Sequence, residues 1–166
     1  VQRTAERGES HPQATKLRVD GLQVRDDRGR EVVHGVSFEV RAGEIFGIAG
    51  VAGNGQDELV EALTGLRGVS GGRVTLDGQD VTGDGARQLT RRGVAFVPAD
   101  RHRFGLVLSY PLTDNMSLTD YYRAPYAHGI VRDEGAIRRR AEAAGEQYDV
   151  RTPSVDVAAA TPSGGN

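Results

Sequence analysis

Residues 1–15 show no hydrophobic period and read as a linker or disordered tail. The pattern then changes, and one domain is expected over 16–166. LRVDGLQV (17–24) alternates apolar and polar positions, which predicts a half-buried strand. VSFEV (36–40) alternates again beyond the turn DDRGR (26–30), so the two runs are expected to pair antiparallel. IFGIA (45–49) and VAFV (94–97) are unbroken apolar runs, the pattern of strands covered on both faces of a parallel sheet. Between them, QDELVEALTG (56–65) places Leu59, Val60 and Leu63 on one helical face with Gly65 as its stop. GRVTL (72–76) followed by Asp77 and Gly78 reads as strand and turn, and a short helix is expected over 85–93. LTDNMSLTDYY (112–122) and DEGAIRRRAEAAGEQY (133–148) read as helices, the second with Ile137, Ala141, Ala144 and Tyr148 on one face. RTPSVDVAAATPSGGN (151–166) reads as loop.

Composition narrows the function classes. The chain has 166 residues, 37% of them hydrophobic, enough for one modest core. A formal net charge of -2 gives no electrostatic footprint for nucleic acid, and none is expected as a partner. Without cysteine there are no disulfides or thiolate metal sites. No run approaches the roughly 18–20 apolar residues that span a bilayer, and VQRTAERGESHPQATK lacks the apolar centre of a signal peptide. A cytoplasmic protein is the default expectation. Lys16 is the only lysine.

The candidate chemistry lies in GVAGNGQD (50–57), between the apolar run 45–49 and the helix expected over 56–65. The spacing is that of the phosphate-binding loop G-x-x-x-x-G-K-[ST], in the strand-to-helix context that motif requires. Gly50, Gly53 and Gly55 let backbone N–H groups turn inward as a nest at the positive end of a helix, with Asn54 among them. The lysine that caps terminal phosphates is replaced by Gln56, and the hydroxyl that holds Mg2+ by Asp57. At an effective dielectric near 20, unit charges about 4 Å apart interact by about 4 kcal/mol, so replacing Lys-Ser by Gln-Asp weakens a phosphate site more than tenfold. A reading without a ligand also holds: Asp57 and Glu58 are favourable first-turn residues after a tight turn, worth about 0.3–1 kcal/mol each.

VSFEVRAGEIFGIAGVAGNGQDELVEALTG, then GRVTLDG, GVAFVPADRHRFGLVL, NMSL and SGGN resemble, in order, the ATP-binding subunits of ABC transporters. The similarity is greatest to the second of two tandem nucleotide-binding domains in bacterial importers for simple sugars and nucleosides, where the loop lysine is commonly replaced. The resemblance implies a partial α/β P-loop NTPase domain with an antiparallel β-subdomain and a helical subdomain. It makes Gly50, Gly53, Asn54, Gly55, Gln56 and Asp57 a degenerate Walker A loop, and Ser163, Gly164, Gly165 and Asn166 the signature motif, with Pro162 in place of the usual leucine. In this family Walker B, the catalytic glutamate, the D-loop and the switch histidine follow the signature, so the 166 residues are expected to be the first part of such a domain and not to hydrolyse ATP by themselves. Each ATP in an ABC dimer lies between one domain's Walker A loop and the other's signature. The resemblance therefore implies a non-catalytic half whose signature serves a partner domain's ATP and Mg2+, attached to the cytoplasmic membrane face through transmembrane permease subunits. Asp27 stands where the adenine-stacking aromatic belongs, and Ala99 where the Q-loop's metal-contacting side chain belongs.

By the same resemblance, 99–126 would dock the permease, with Tyr110, Met116, Tyr121, Tyr122 and Tyr126 as candidate contacts, although such aromatics equally suit a core. His11, His34, His102 and His128 have no metal-ligand spacing, and Arg101, His102 and Arg103 suit a solvated loop. Arg138 is placed to pair with Glu142. The alternatives to an ATP-binding subunit are an interaction module that binds no nucleotide and a non-functional fragment of such a subunit.

Overall fold

The computed structural model describes residues 14–160, except 52 and 101–103, and divides the chain into two compact units, 1–95 and 96–166. In the first unit, β1 (Thr15–Arg25) and β2 (Glu31–Arg41) pair antiparallel around the turn that the alternating pattern predicts. β3 (Val69–Leu76) pairs antiparallel with the other edge of β1, and the short β4 (Gln79–Asp80) follows, giving the order β2-β1-β3-β4. The turn at 26–30 is tied by Asp26, whose carboxylate accepts the Arg28 and Arg30 N–H groups at 2.9 Å each. Desolvation pushes its pKa up, but these bonds and the Arg30 charge outweigh that and hold it below the usual aspartate value.

Strict alternation does not survive in β1. Val19, Leu22 and Val24 are all buried, though Val19 and Leu22 have opposite parity. The register shifts between them at Gly21, whose φ of 57° only glycine adopts readily, so both side chains enter one core. The facing Gly72 is equally constrained: a Cβ there would lie 2.4 Å from the Gly21 carbonyl oxygen.

The helices α1 (Gln56–Leu63) and α2 (Ala86–Arg91) contribute Leu59, Ala62 and Leu89 to the same core as Val33, Val74 and Val81. Each such aliphatic side chain contributes about 1.5–3 kcal/mol when withdrawn from water. α1 ends as expected near Gly65, with Leu66 N–H bonded to the Glu61 carbonyl and Gly65 N–H to that of Ala62.

Two expectations need correction. The runs 45–49 and 94–97 are not strands, and no described strand pairs with either. An apolar run becomes a strand only when a neighbour takes its backbone groups. Ile45 is fully exposed, and Phe46, Ile48, Phe96 and Val97 are also solvent-facing. The Phe46 ring stacks on Phe38 of β2 at 4.9 Å between centroids. The 166-residue chain taken alone is therefore expected to unfold below about 60 °C, short of the upper end of the mesophile range. A cooperative transition above that temperature from a monomer, followed by calorimetry with light scattering, would contradict the expectation.

The second unit contains α3 (Leu112–Ser117), a hairpin of β5 (Ala127–His128) and β6 (Val131–Arg132), and α4 (Glu134–Gln147). α3 is shorter than the pattern 112–122 implies and gives way to turns at residue 118. Asp133 caps α4 by accepting the Ala136 N–H at 2.8 Å. Ala136, Ile137 and Ala141 are buried, whereas Tyr148 is exposed, because α4 ends before it at Gln147. Arg138 does face Glu142, at 3.9 Å, but its closer partner is Asp156 at 2.6 Å. The segment 155–160, read as plain loop, runs antiparallel beside 108–113 through four backbone hydrogen bonds of 2.9–3.1 Å. Asn115 secures the near side of this pairing, its carboxamide bonding both Val107 backbone groups and the Tyr110 and Pro111 carbonyls.

Candidate nucleotide-binding loop

The loop 50–57 leads into α1, but the run 45–49 before it is not a strand, so only the helix side of the strand-to-helix context is present. Gly53 and Gly55 both have φ of +87°, the left-handed conformation that turns successive N–H groups to one side. Gly55 is also the N-cap of α1 and is pressed against β2: a Cβ on it would lie 2.5 Å from the Val32 carbonyl oxygen. The helix start is thereby fixed on the sheet. The first N–H groups of α1 have no acceptor within the helix. Asp57 and Glu58 stand in that first turn, Asp57 exposed and Glu58 half-buried, so the charge beside the cradle is negative.

Gln56 does not extend outward as a phosphate-capping lysine would. Its Nε2 donates to the Val51 carbonyl at 3.1 Å, and its Oε1 accepts the Asn54 N–H at 3.2 Å. The same Asn54 N–H lies 3.3 Å from the Val51 oxygen. Gly50 makes room for the folded-back carboxamide, since a Cβ there would meet Nε2 at 1.8 Å.

At the other end of α1, Arg67 joins the helix to the β1–β2 turn. It donates to Glu61 at 2.7 Å, to Asp27 at 2.8 Å and to the Arg25 carbonyl at 3.1 Å. The hydrogen bond to Glu61, then that to Asp27, holds its pKa above the ordinary arginine value. Asp27 thus stands in an ion pair at the position where an aromatic would be expected to stack on adenine. No local sequence signal points to Arg67, because its partner Asp27 is distant along the chain.

The structure brings Gly50, Gly53, Asn54, Gly55, Gln56 and Asp57 together as one loop at a helix start. Ser163, Gly164, Gly165 and Asn166 lie outside the described residues. Ala99 is exposed and offers only a methyl group. Among the described residues no cluster of three or more His, Asp or Glu side chains is arranged to hold a metal ion. The glycine backbone thus fits a polyphosphate in shape, while the side chains at 56 and 57 do not fit its charge. Among the described helices none is long and apolar enough to cross a membrane. Tyr110, Met116 and Tyr121 are exposed on the second unit.

An antiparallel sheet packed on a helix that begins at a glycine-rich loop is consistent with the P-loop NTPase fold of ATP-binding cassettes. Solved cassettes share it. A nucleotide-free ATP-binding cassette from an ABC transporter aligns with a TM-score of 0.72 at 21% identity, over 92% of this chain and 60% of that one. The ADP conformation of the cassette MJ1267 aligns at 0.68 and 21%, over 92% of this chain and 61% of that one. The chain belongs to the ABC transporter family, whose model matches residues 33–165. Among curated relatives, the guanosine import ATP-binding protein NupO of Bacillus subtilis is 44% identical over 97% of this chain and 32% of its own length. The nucleoside import ATP-binding protein NupA of Lactococcus lactis is 40% identical over the same shares. A ribose import ATP-binding protein, RbsA 1 of Rubrobacter xylanophilus, is 38% identical over 87% of this chain and 29% of its own length. The chain thus spans about a third of the length of the curated relatives it matches.

Proposed function

We propose that the chain is part of the ATP-binding component of an ABC importer for simple sugars or nucleosides, and that it forms the non-catalytic half. The observation that carries this reading is the loop itself. Its glycine geometry is kept, with φ of +87° at Gly53 and Gly55, while Gln56 and Asp57 remove the groups that bind terminal phosphate and Mg2+. A half of this kind contributes through Ser163, Gly164, Gly165 and Asn166, whose hydroxyl and amide groups would complete the ATP site of a partner nucleotide-binding domain. ATP and Mg2+ would then be held chiefly by that partner. Transmembrane permease subunits would place the protein on the cytoplasmic membrane face. The relatives at 44%, 41% and 40% identity are named for guanosine, glucose and nucleoside import, which supports a cargo that is a nucleoside or a simple sugar. One observation supports the alternative of a module that binds no nucleotide: the loop is already bridged by its own Gln56.

Deleting the gene in its host is expected to abolish uptake of a labelled nucleoside or simple sugar. A copy carrying Ser163→Arg should accumulate normally and fail to restore transport, because the bulky cation would enter the partner's ATP site. Unchanged uptake of labelled nucleosides and simple sugars after deletion would overturn the transport assignment. Full rescue by Ser163→Arg would overturn the division of labour.

A further inference from the structure

The position at which a phosphate loop carries its lysine is occupied here by a side chain that turns back into the loop. Three observations fix its place. The Gln56 Oε1 accepts the Asn54 N–H at 3.2 Å, and the Nε2 donates to the Val51 carbonyl at 3.1 Å, so the carboxamide spans the loop from one side to the other. The amide end also rests directly over Gly50, where the space a Cβ would fill lies 1.8 Å from Nε2. The third concerns charge. Asp57 and Glu58 follow in the first turn of α1, and a neutral carboxamide meets no repulsion from them, whereas a polyphosphate does.

We propose that Gln56 is an internal occupant of the phosphate loop: its carboxamide takes the Asn54 N–H that a phosphate oxygen would take, and a polyphosphate enters only by displacing it. This rests on the reading of 50–57 as a phosphate cradle. It adds that the loop discriminates against polyphosphate by competition as well as by missing charge. An N–H group aimed at Oε1 is not available to a phosphate, and the carboxamide must give up both of its bonds before an anion can sit above Gly50. The competition is intramolecular, so it operates at every nucleotide concentration and shifts apparent affinity by a constant factor.

Two substitutions evict the carboxamide by different routes. Gln56→Ala removes it and adds no charge. Gly50→Ala displaces it sterically; the clash is with the far end of a flexible side chain, and Gly50 is not among the residues with positive φ, so the backbone has no need to move. Both variants are expected to speed hydrogen exchange of the Asn54 amide about threefold or more, read by NMR on the 166-residue chain, because the carboxamide acceptor is gone and only the longer bond to the Val51 carbonyl, at 3.3 Å, remains. An unchanged Asn54 amide in both would overturn the proposal. In metal-free titrations with inorganic pyrophosphate at low salt, Gln56→Ala is expected to bind about three- to tenfold more tightly than the native chain. Equal or weaker binding would overturn the proposal, and weaker binding would show that the carboxamide serves the anion as a donor. A Gln56→Lys/Asp57→Ser chain, in which the cradle regains its charge, separates the two levels of the argument. If it binds pyrophosphate and Gln56→Ala gains nothing, the internal-occupant proposal fails alone. If no folded variant binds, the cradle reading fails and the proposal fails with it.

Discussion

Changing Gln56 to lysine and Asp57 to serine together is expected to raise ATP affinity at least tenfold. The two changes add two units of positive charge beside the phosphates. At an effective dielectric near 20, each unit charge about 4 Å from a phosphate is worth about 4 kcal/mol before screening and desolvation, so even a small surviving fraction exceeds the 1.4 kcal/mol that corresponds to tenfold. The backbone does not have to be rebuilt, because Gly53 and Gly55 already have φ of +87° and Gly55 is seated against Val32. The change also removes the carboxamide that bonds Asn54 and Val51. Ala99 ligates nothing, so the gain should largely survive removal of Mg2+. It should shrink as salt rises, since the Debye length falls from about 30 Å at 0.01 M to about 10 Å at 0.1 M. Calorimetric titration of both proteins at two ionic strengths checks this. Absence of binding by a folded double variant would mean that the loop forms no phosphate nest.

The second large effect is expected far from the loop, at Asp120. This carboxylate is almost fully buried and receives Arg140 at 2.6 Å and Arg123 at 2.5 Å. Arg140 also lies over the Tyr126 ring, 4.9 Å from its centroid. Burial works to lower the pKa of Arg140, but its bonds to Asp120 and Tyr126 outweigh burial and raise it above the ordinary arginine value. Removing the shared anion leaves two guanidinium groups facing each other without a counter-charge. Breaking a buried pair from one side costs about 3–5 kcal/mol, and the partial exposure of both arginines reduces this to about 2–3 kcal/mol for Asp120→Ala. Arg123→Ala removes only a solvent-exposed partner and should cost less than about 1 kcal/mol. Urea unfolding of the two variants, followed by helical circular dichroism, distinguishes them. Equal losses would show that the network is not centred on Asp120.

What was legible in the sequence followed from local rules. The β1–β2 hairpin announced itself by alternation on both sides of DDRGR, and the start of α1 by glycines followed by Asp57 and Glu58. The stop at Gly65 was visible for the same reason, since a cap depends on residues within one turn. The misreadings of 45–49 and 94–97 have a common origin. An apolar run records that a segment prefers to leave water, but it carries no information about whether a partner strand is present. The bulge at Gly21, the Arg67 bridge and the pairing of 155–160 with 108–113 were hidden because each depends on a partner far away in sequence. Gln56 was legible as a missing lysine. That its carboxamide folds into the loop depends on the space over Gly50, which only the three-dimensional loop reveals.

The pairing of 108–113 with 155–160 also has a mechanical side. A free loop of this length would absorb displacement through its soft dihedrals. Here Ala160 is bonded to Leu108, Ala159 to Tyr110, Val157 to Leu112 and Val155 to Thr113, so the two strips stretch as one tape. The chain leaves this tape at residue 160, just ahead of the stretch that carries Ser163. A pull applied there loads four parallel links before it can extend the backbone. Asn115 anchors the other side of the tape to α3. Between residue 160 and the 107–113 strip the second unit is therefore expected to be stiff, because stretching it must break these hydrogen bonds together.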